Sequence, residues 1–250
     1  MTKRHNCYFY SMKVMDIIEN GGDYYLPNLS IDLVIIGYKD DQLKCLLLKV
    51  GGQWALPGGY VGVDESVEQA VVNTLQMRTG LEHAHLKFLA VFGNQDRKFG
   101  DQFKSYFEHH GLPWREDYWI NNRFVTLSYY ALVDIDNTHP SPGEFDEAAE
   151  WFDLNALPEM WLDHETIAMT ARNRLKDDIN RELVTHNLLP SPFTMPQLHQ
   201  LHQCILDEKL DRSRFQKKML ASGKFERLPQ VVKDSPGRNP YQYQLKTDSA

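Results

Sequence analysis

The sequence predicts an α/β body followed by a small module of two helices and a β-hairpin. Three observations predict it. Residues 30–50, SIDLVIIGYKDDQLKCLLLKV, read as two apolar strands around the polar turn Lys39-Asp40-Asp41-Gln42. Residues 66–75 then place apolar groups at helical spacing. Beyond Pro190-Ser191-Pro192, two capped helical segments precede two short strand-like runs.

Each element has its own local signal. Trp54, Leu56 and Val61 flank an expected turn at Pro57-Gly58-Gly59. Asp64 or Glu65 opens the helix that follows, and Ser66 with Gln69 reads as a capping box. Val67, Ala70, Val71, Thr74 and Leu75 form its buried stripe. Strands are expected at Lys87 to Gly93, at Phe124 to Asp134 and at Glu150-Trp151-Phe152. A further helix is expected from Trp161 to Asp178, with Ile167, Thr170, Ala171, Arg174 and Leu175 at its spacing. The stretch between Gly100 and Arg123 is polar and aromatic without a clear period. It reads as an inserted loop that caps a pocket or joins a dimer contact. His109 and His110 are adjacent, so they read as a solvated pair rather than as ligands of one ion.

In the second module Thr194 and Gln197 form another capping signature, and Pro196 sits in the first turn, where its missing N–H costs nothing. Leu198, Leu201 and Ile205 make the apolar face. A second helix starts behind Asp211 and stops at Gly223. Phe215 and Met219, four apart, face the core; Ser213, Arg214 and Lys217 lie opposite, flanked by Arg212, Gln216 and Lys218. KFERLPQVV and PYQYQLK read as two strands whose connection carries Lys233 and Arg238. Tyr241, Tyr243 and Leu245 are expected inside; Gln242, Gln244 and Lys246 outside. Helix, turn, helix and basic hairpin are the outline of a winged helix-turn-helix. Its cations suit phosphates, and its Arg, Ser and Gln suit base edges in the major groove. A solvated helix surface would read the same way.

Composition bounds the rest. A chain of 250 residues allows one large or two ordinary domains. The expected division is 1–189 and 190–250. No apolar run approaches the roughly 18 residues of a membrane span, and the start lacks the pattern of a secretory signal. Cys7, Cys45 and Cys204 are scattered, so reduced thiols in the cytoplasm are expected, with no metal site and no cofactor. Residues 191–250 hold ten Lys and Arg against six Asp and Glu, a net of +4. The other 17 basic and 28 acidic residues leave the first 190 at −11. An acidic body with a basic tail suggests that the tail meets a polyanion; ordinary variation between domains is the bland alternative.

Residues 58–81, GGYVGVDESVEQAVVNTLQMRTGL, resemble the Nudix box. Gly59, Glu65, Leu75, Gly80 and Leu81 match the family pattern, whereas Asn73, Thr74, Met77 and Arg78 stand where the family carries Arg-Glu and Glu-Glu. In the family, carboxylates at the positions of Thr74, Met77 and Arg78 converge on one helix face and hold magnesium. A hydroxyl, a thioether and a cation do not. The C-terminal segments FTMPQLHQLHQCILDEKLDRSRFQKKML and SPGRNPYQYQL are similar to the winged-helix module of the Nudix-related transcriptional regulators.

The two resemblances imply a Nudix α/β/α sandwich followed by a winged helix-turn-helix. They imply a ligand-responsive regulator, a repressor, that binds a two-fold-related double-stranded operator as a homodimer, with recognition helices about 34 Å apart. The effector implied is ADP-ribose-like, or a sugar such as arabinose in another branch of the family. DNA contacts fall to Arg212, Ser213, Arg214, Gln216, Lys217, Lys218, Lys233 and Arg238. Arg78 is expected to pair with an anionic group of the effector, or else to bridge to Glu82 or Glu65. Glu65, Arg97 and Arg123 are further pocket candidates, and no residue is expected to be catalytic. The rival is a diphosphohydrolase acting on ADP-ribose or a related nucleotide.

Overall fold

A computed structural model describes residues 14–143, 146–182, 185–229 and 241–246. Cys7, Lys233 and Arg238 lie outside them. The chain runs α1 (Val14–Tyr24), β1 (Tyr25–Lys39), β2 (Gln42–Val50), β3 (Gln53–Ala55), β4 (Gly58–Gly62), α2 (Val67–Thr79) and β5 (His85–Phe92). It continues with α3 (Gly100–His109), β6 (Val125–Leu132), β7 (Ala148–Asp153) and α4 (His164–Arg181). The last part is β8 (Phe193–Thr194), α5 (Met195–Leu206), α6 (Arg212–Ala221), β9 (Phe225–Arg227) and β10 (Gln242–Leu245).

β1 organises the body. It pairs parallel with β6 and antiparallel with β2 and β4, in a sheet that β3, β5 and β7 complete. Successive side chains of a strand face opposite sides, so β1 builds two cores. Ile31, Leu33 and Ile35 pack with Ala70, Val71 and Leu75 of α2. Val34 and Ile36 pack with Ile167, Ala171 and Leu175 of α4. Helices on both faces of a mixed sheet make the α/β/α sandwich. Arg174, expected at the spacing of that apolar stripe, is instead turned to the surface, 3.7 Å from Asp178.

The Gly58-Gly59 pair is the start of β4 rather than a turn. Residues 101–122 are not an irregular loop: α3 buries Phe103, Tyr106 and Phe107 at i, i+3 and i+4. These rings join Phe99, Tyr118, Phe124 and Trp161 in a third, aromatic core. The period was present, but it was written in aromatics mixed with polar residues.

In the C-terminal module Thr194 and Gln197 form the full capping box of α5, and Asp211 caps α6 through the Arg214 N–H at 2.7 Å. β10 lies between β8 and β9. Tyr243 is buried, but Leu245, expected inside, is 40% exposed, because only four residues of β10 pair and the ladder ends beside it. The apolar side of this module is continuous with the sandwich core. Leu198, Leu201, Ile205, Phe215 and Met219 share one cluster with Leu43, Cys45, Ile167 and Ala171. Arg172 and Lys176 of α4 both reach Asp207 at the end of α5, at 2.7 and 2.5 Å. Lys176 first, then Arg172, hold the Asp207 carboxyl below its ordinary range against the opposing effect of burial.

Candidate functional site

A cavity of about 800 Å³ opens between α2, β1, β4, α3 and the start of α4. One wall is the face of α2 that bears Asn73, Thr74, Met77 and Arg78, with Ser141–Gly143 and Asp146 beside it. Ser66 caps α2 by accepting from the Gln69 N–H, which is half of the expected capping box. The Gln69 side chain instead bonds Asn73. The Glu65 carboxylate accepts from the Gly62 N–H at 2.7 Å and from Asn73 Nδ2 at 2.9 Å, tying the strand before α2 to its second turn.

Arg78 lines the cavity and bridges to neither Glu82 nor Glu65. Its guanidinium bonds the Asp146 carboxylate through Nη1 and donates to the Gly58 carbonyl from Nε and Nη2 at 3.2 Å. Asp146 is 68 residues away in sequence, which is why no spacing argument could find it. A guanidinium carries five N–H bonds, so donors remain for a ligand. The donor set does not fit magnesium. The box face presents an amide, a hydroxyl, a thioether and a cation, and the carboxylates of Glu65 and Asp146 are both engaged. Among the described residues no three His, Cys, Asp or Glu are grouped to hold a metal ion.

The cavity is also lined by the rings of Tyr60, Phe99, Phe103 and Trp161 and by a buried polar floor of Asp32 and His164. Sequence reasoning missed both. The available signal was a lone carboxylate inside the apolar run SIDLVII. Arg97, a pocket candidate, lies behind this floor rather than on the cavity wall, 2% exposed. It pairs with Asp32 at 2.6 Å and with Asp163 at 3.0 Å, and its guanidinium sits over Phe99. Arg123 is not at the cavity either: it donates to the Gly93 carbonyl at 2.7 Å.

α6 contrasts with the cavity. Phe215 and Met219 are buried, while Arg212, Ser213, Arg214, Gln216, Lys217 and Lys218 are all exposed. Among the described residues no carboxylate pairs with its four cations. Behind it, His202 packs its ring on Phe215 and bonds Thr185 Oγ1 at 2.8 Å. Burial pushes the His202 pKa down to about 4.

With this geometry established, comparison with known families is direct. The NUDIX domain family matches residues 29–171, more than half of the chain. The chain belongs to the Nudix family. Residues 185–245 match a second family, described as the NrtR DNA-binding winged helix domain. This Nudix chain is 26% identical over 217 residues to an ADPR responsive transcriptional repressor, NtrR, of Acinetobacter baylyi, covering 83% of this chain and 78% of that one. It is 31% identical over 149 residues to an ADP-ribose pyrophosphatase of Methanocaldococcus jannaschii, covering 58% and 72%. Its fold is similar to that of Shewanella oneidensis NrtR complexed with a 27mer DNA, with a TM-score of 0.69 at 25% identity over 87% of this chain and 93% of that one. No helix among the described residues is long and apolar enough to cross a membrane.

Proposed function

We propose that this protein is a cytoplasmic transcriptional repressor, homodimeric on double-stranded operator DNA, that senses ADP-ribose or a related sugar-bearing nucleotide in its Nudix cavity. One observation carries the reading: a cavity whose box face bears Asn73, Thr74, Met77 and Arg78 where the family carries Arg-Glu and Glu-Glu is joined through a shared core to a helix whose four cations pair with no carboxylate among the described residues. The similarity to the Acinetobacter baylyi repressor supports it. Arg212, Arg214, Lys217 and Lys218 serve phosphates and base edges, with Ser213 and Gln216 at base edges; Lys233 and Arg238, outside the described residues, are assigned to the DNA backbone from the sequence alone. The division of labour is 1–189 for sensing and 190–250 for DNA.

Arg78 contacts an anionic group of the effector with the N–H bonds that Asp146 and Gly58 leave free. Glu65 holds the start of α2 in place for it. Arg97 and Arg123 take no direct part in binding. Coupling runs along α4: His164, its first residue, floors the cavity, and two to three turns on Arg172 and Lys176 grip the DNA module. A ligand shifts DNA binding only if it favours one arrangement of that helix over another.

The similarity to the Methanocaldococcus jannaschii pyrophosphatase keeps a hydrolase reading in view. The substituted box speaks against it, because magnesium needs hard oxygen ligands that this face lacks. Selection of genomic fragments on the purified chain, with and without ADP-ribose, tests the proposal. Recovery of a two-fold-symmetric site whose retention changes with ADP-ribose supports it. Magnesium-dependent turnover of ADP-ribose near about 10 per second establishes the rival.

A further inference from the structure

The cavity floor holds two polar side chains that each keep one atom unpartnered among the described residues. His164 is 3% exposed, and its Nδ1 accepts from the Leu56 N–H at 2.9 Å. That bond leaves Nδ1 without a proton, so the neutral ring carries its hydrogen on Nε2. Burial lowers the His164 pKa, which keeps the ring neutral. Yet Nε2 has no hydrogen-bond partner. Asp32 is 5% exposed. Its Oδ2 is taken by Arg97, and among the described residues nothing donates to its Oδ1. Both side chains line the cavity, with His164 Nε2 4.0 Å from Asp32 Oδ2.

The chemistry of a matching group follows. One guanidinium between Asp32 and Asp163 leaves this cluster one charge negative, so a phosphate is repelled. An ammonium would satisfy Asp32 and leave the His164 donor facing another donor. A hydroxyl donates and accepts through one oxygen. His164 Nε2 and Asp32 Oδ2 are close enough for one such oxygen to lie within about 2.8 Å of both, and Oδ2 keeps a second lone pair beside its bond to Arg97. Unmet, a buried donor costs about 1–3 kcal/mol, which gives the site a reason to select for that group.

We propose that Asp32 and His164 form a subsite for a ribosyl hydroxyl of the effector, the hydroxyl donating to the Asp32 carboxylate and accepting from the His164 Nε2–H. The proposal rests on the effector reading above. It places the sugar on Asp32 and His164 and leaves the anionic group for Arg78, on the other side of Gly58. In ADP-ribose the hydroxyl belongs either to the distal ribose or to the ribose of adenosine.

The test is calorimetric titration of the full chain, wild type and His164→Asn, with ADP-ribose, ADP and their 2-deoxyribosyl analogues. Asn places an acceptor where Nδ1 stands, so the Leu56 N–H keeps its partner while the Nε2 donor is lost. The expected result is about tenfold weaker ADP-ribose binding by the variant, the loss of one hydrogen bond. A loss confined to ADP-ribose assigns the distal ribose. A loss shared by ADP, matched by deoxyadenosine analogues on the wild type, assigns the adenosine ribose. If the variant does not fold, the deoxy analogues on the wild type decide alone: at least one must bind about tenfold more weakly. Wild-type binding that neither His164→Asn nor any deoxy analogue weakens overturns the subsite and leaves the effector reading standing. A wild type that binds neither ADP-ribose nor ADP overturns both.

Discussion

The cavity and the outer face of α6 use charge in opposite ways. In the cavity the charged groups hold one another: Arg78 with Asp146, Arg97 between Asp32 and Asp163, and Glu65 on Asn73 and the Gly62 N–H. On α6 the four cations meet no carboxylate among the described residues and stand exposed. Paired buried charges fix geometry, and removing one partner strands the other in a poor solvent. Unpaired surface cations add little to folding, but they remain available to a polyanion. The difference teaches which charges belong to the fold and which to a partner.

The strongest way to break that comparison is Arg97→Ala. With Asp32 and Asp163 left facing each other, unfolding free energy should fall by about 3–5 kcal/mol, measured by denaturant titration. A change below 1 kcal/mol would mean that the buried cluster contributes far less than its geometry says. Acidification probes the core beneath α6. His202 is held near 4 when folded and titrates near its ordinary 6.5 when unfolded. Below 6.5 the unfolded chain therefore binds more protons, and stability falls as pH drops from about 6.5 to 4, by up to about 3 kcal/mol. His202→Phe should make that part of the profile shallower, leaving the share of His164 and His85, whose pKa values burial also lowers, and the losses that begin lower, where Asp178 and Asp207 protonate.

Charge reversal on α6 sharpens the other side. Arg214→Glu with Lys217→Glu should weaken duplex binding about a hundredfold near 0.15 M salt, while unfolding free energy shifts by less than about 0.5 kcal/mol. Fluorescence anisotropy and denaturant titration on one preparation read both numbers. The smallest effect is a control for helix quality. Ser66→Ala and Asp211→Ala each remove one N-cap bond and should each cost about 1 kcal/mol. Equal costs would mean that α2 and α6 differ in the use of their faces rather than in how well they form.

Much of this was legible because it is local. Caps at Ser66, Thr194 and Asp211, the apolar stripes of α2 and α5, and the apolar run of β1 all follow from side chains a few residues apart. The cations of α6 were legible for the same reason: one helical period sorts them from Phe215 and Met219. What stayed hidden depends on distant partners. Arg78 alone reads as a free cation until Asp146 closes on it, and Asp32 gains meaning only with Arg97 and His164 beside it. Arg97 and Arg123 looked alike in sequence; one is locked in a buried cluster and the other bonds a strand-end carbonyl. α3 was hidden because its buried face is aromatic and its neighbours are polar, so its period lacks the usual aliphatic contrast.

The most direct measurement is the affinity of the full chain for a duplex recovered by genomic selection, followed across salt concentration with and without ADP-ribose. The account predicts a steep decline with salt, from the cations of α6, and a shift of at least about fivefold when the nucleotide is added. Affinity that ignores both salt and ADP-ribose, or ADP-ribose consumed in a magnesium-dependent reaction during the titration, would contradict it.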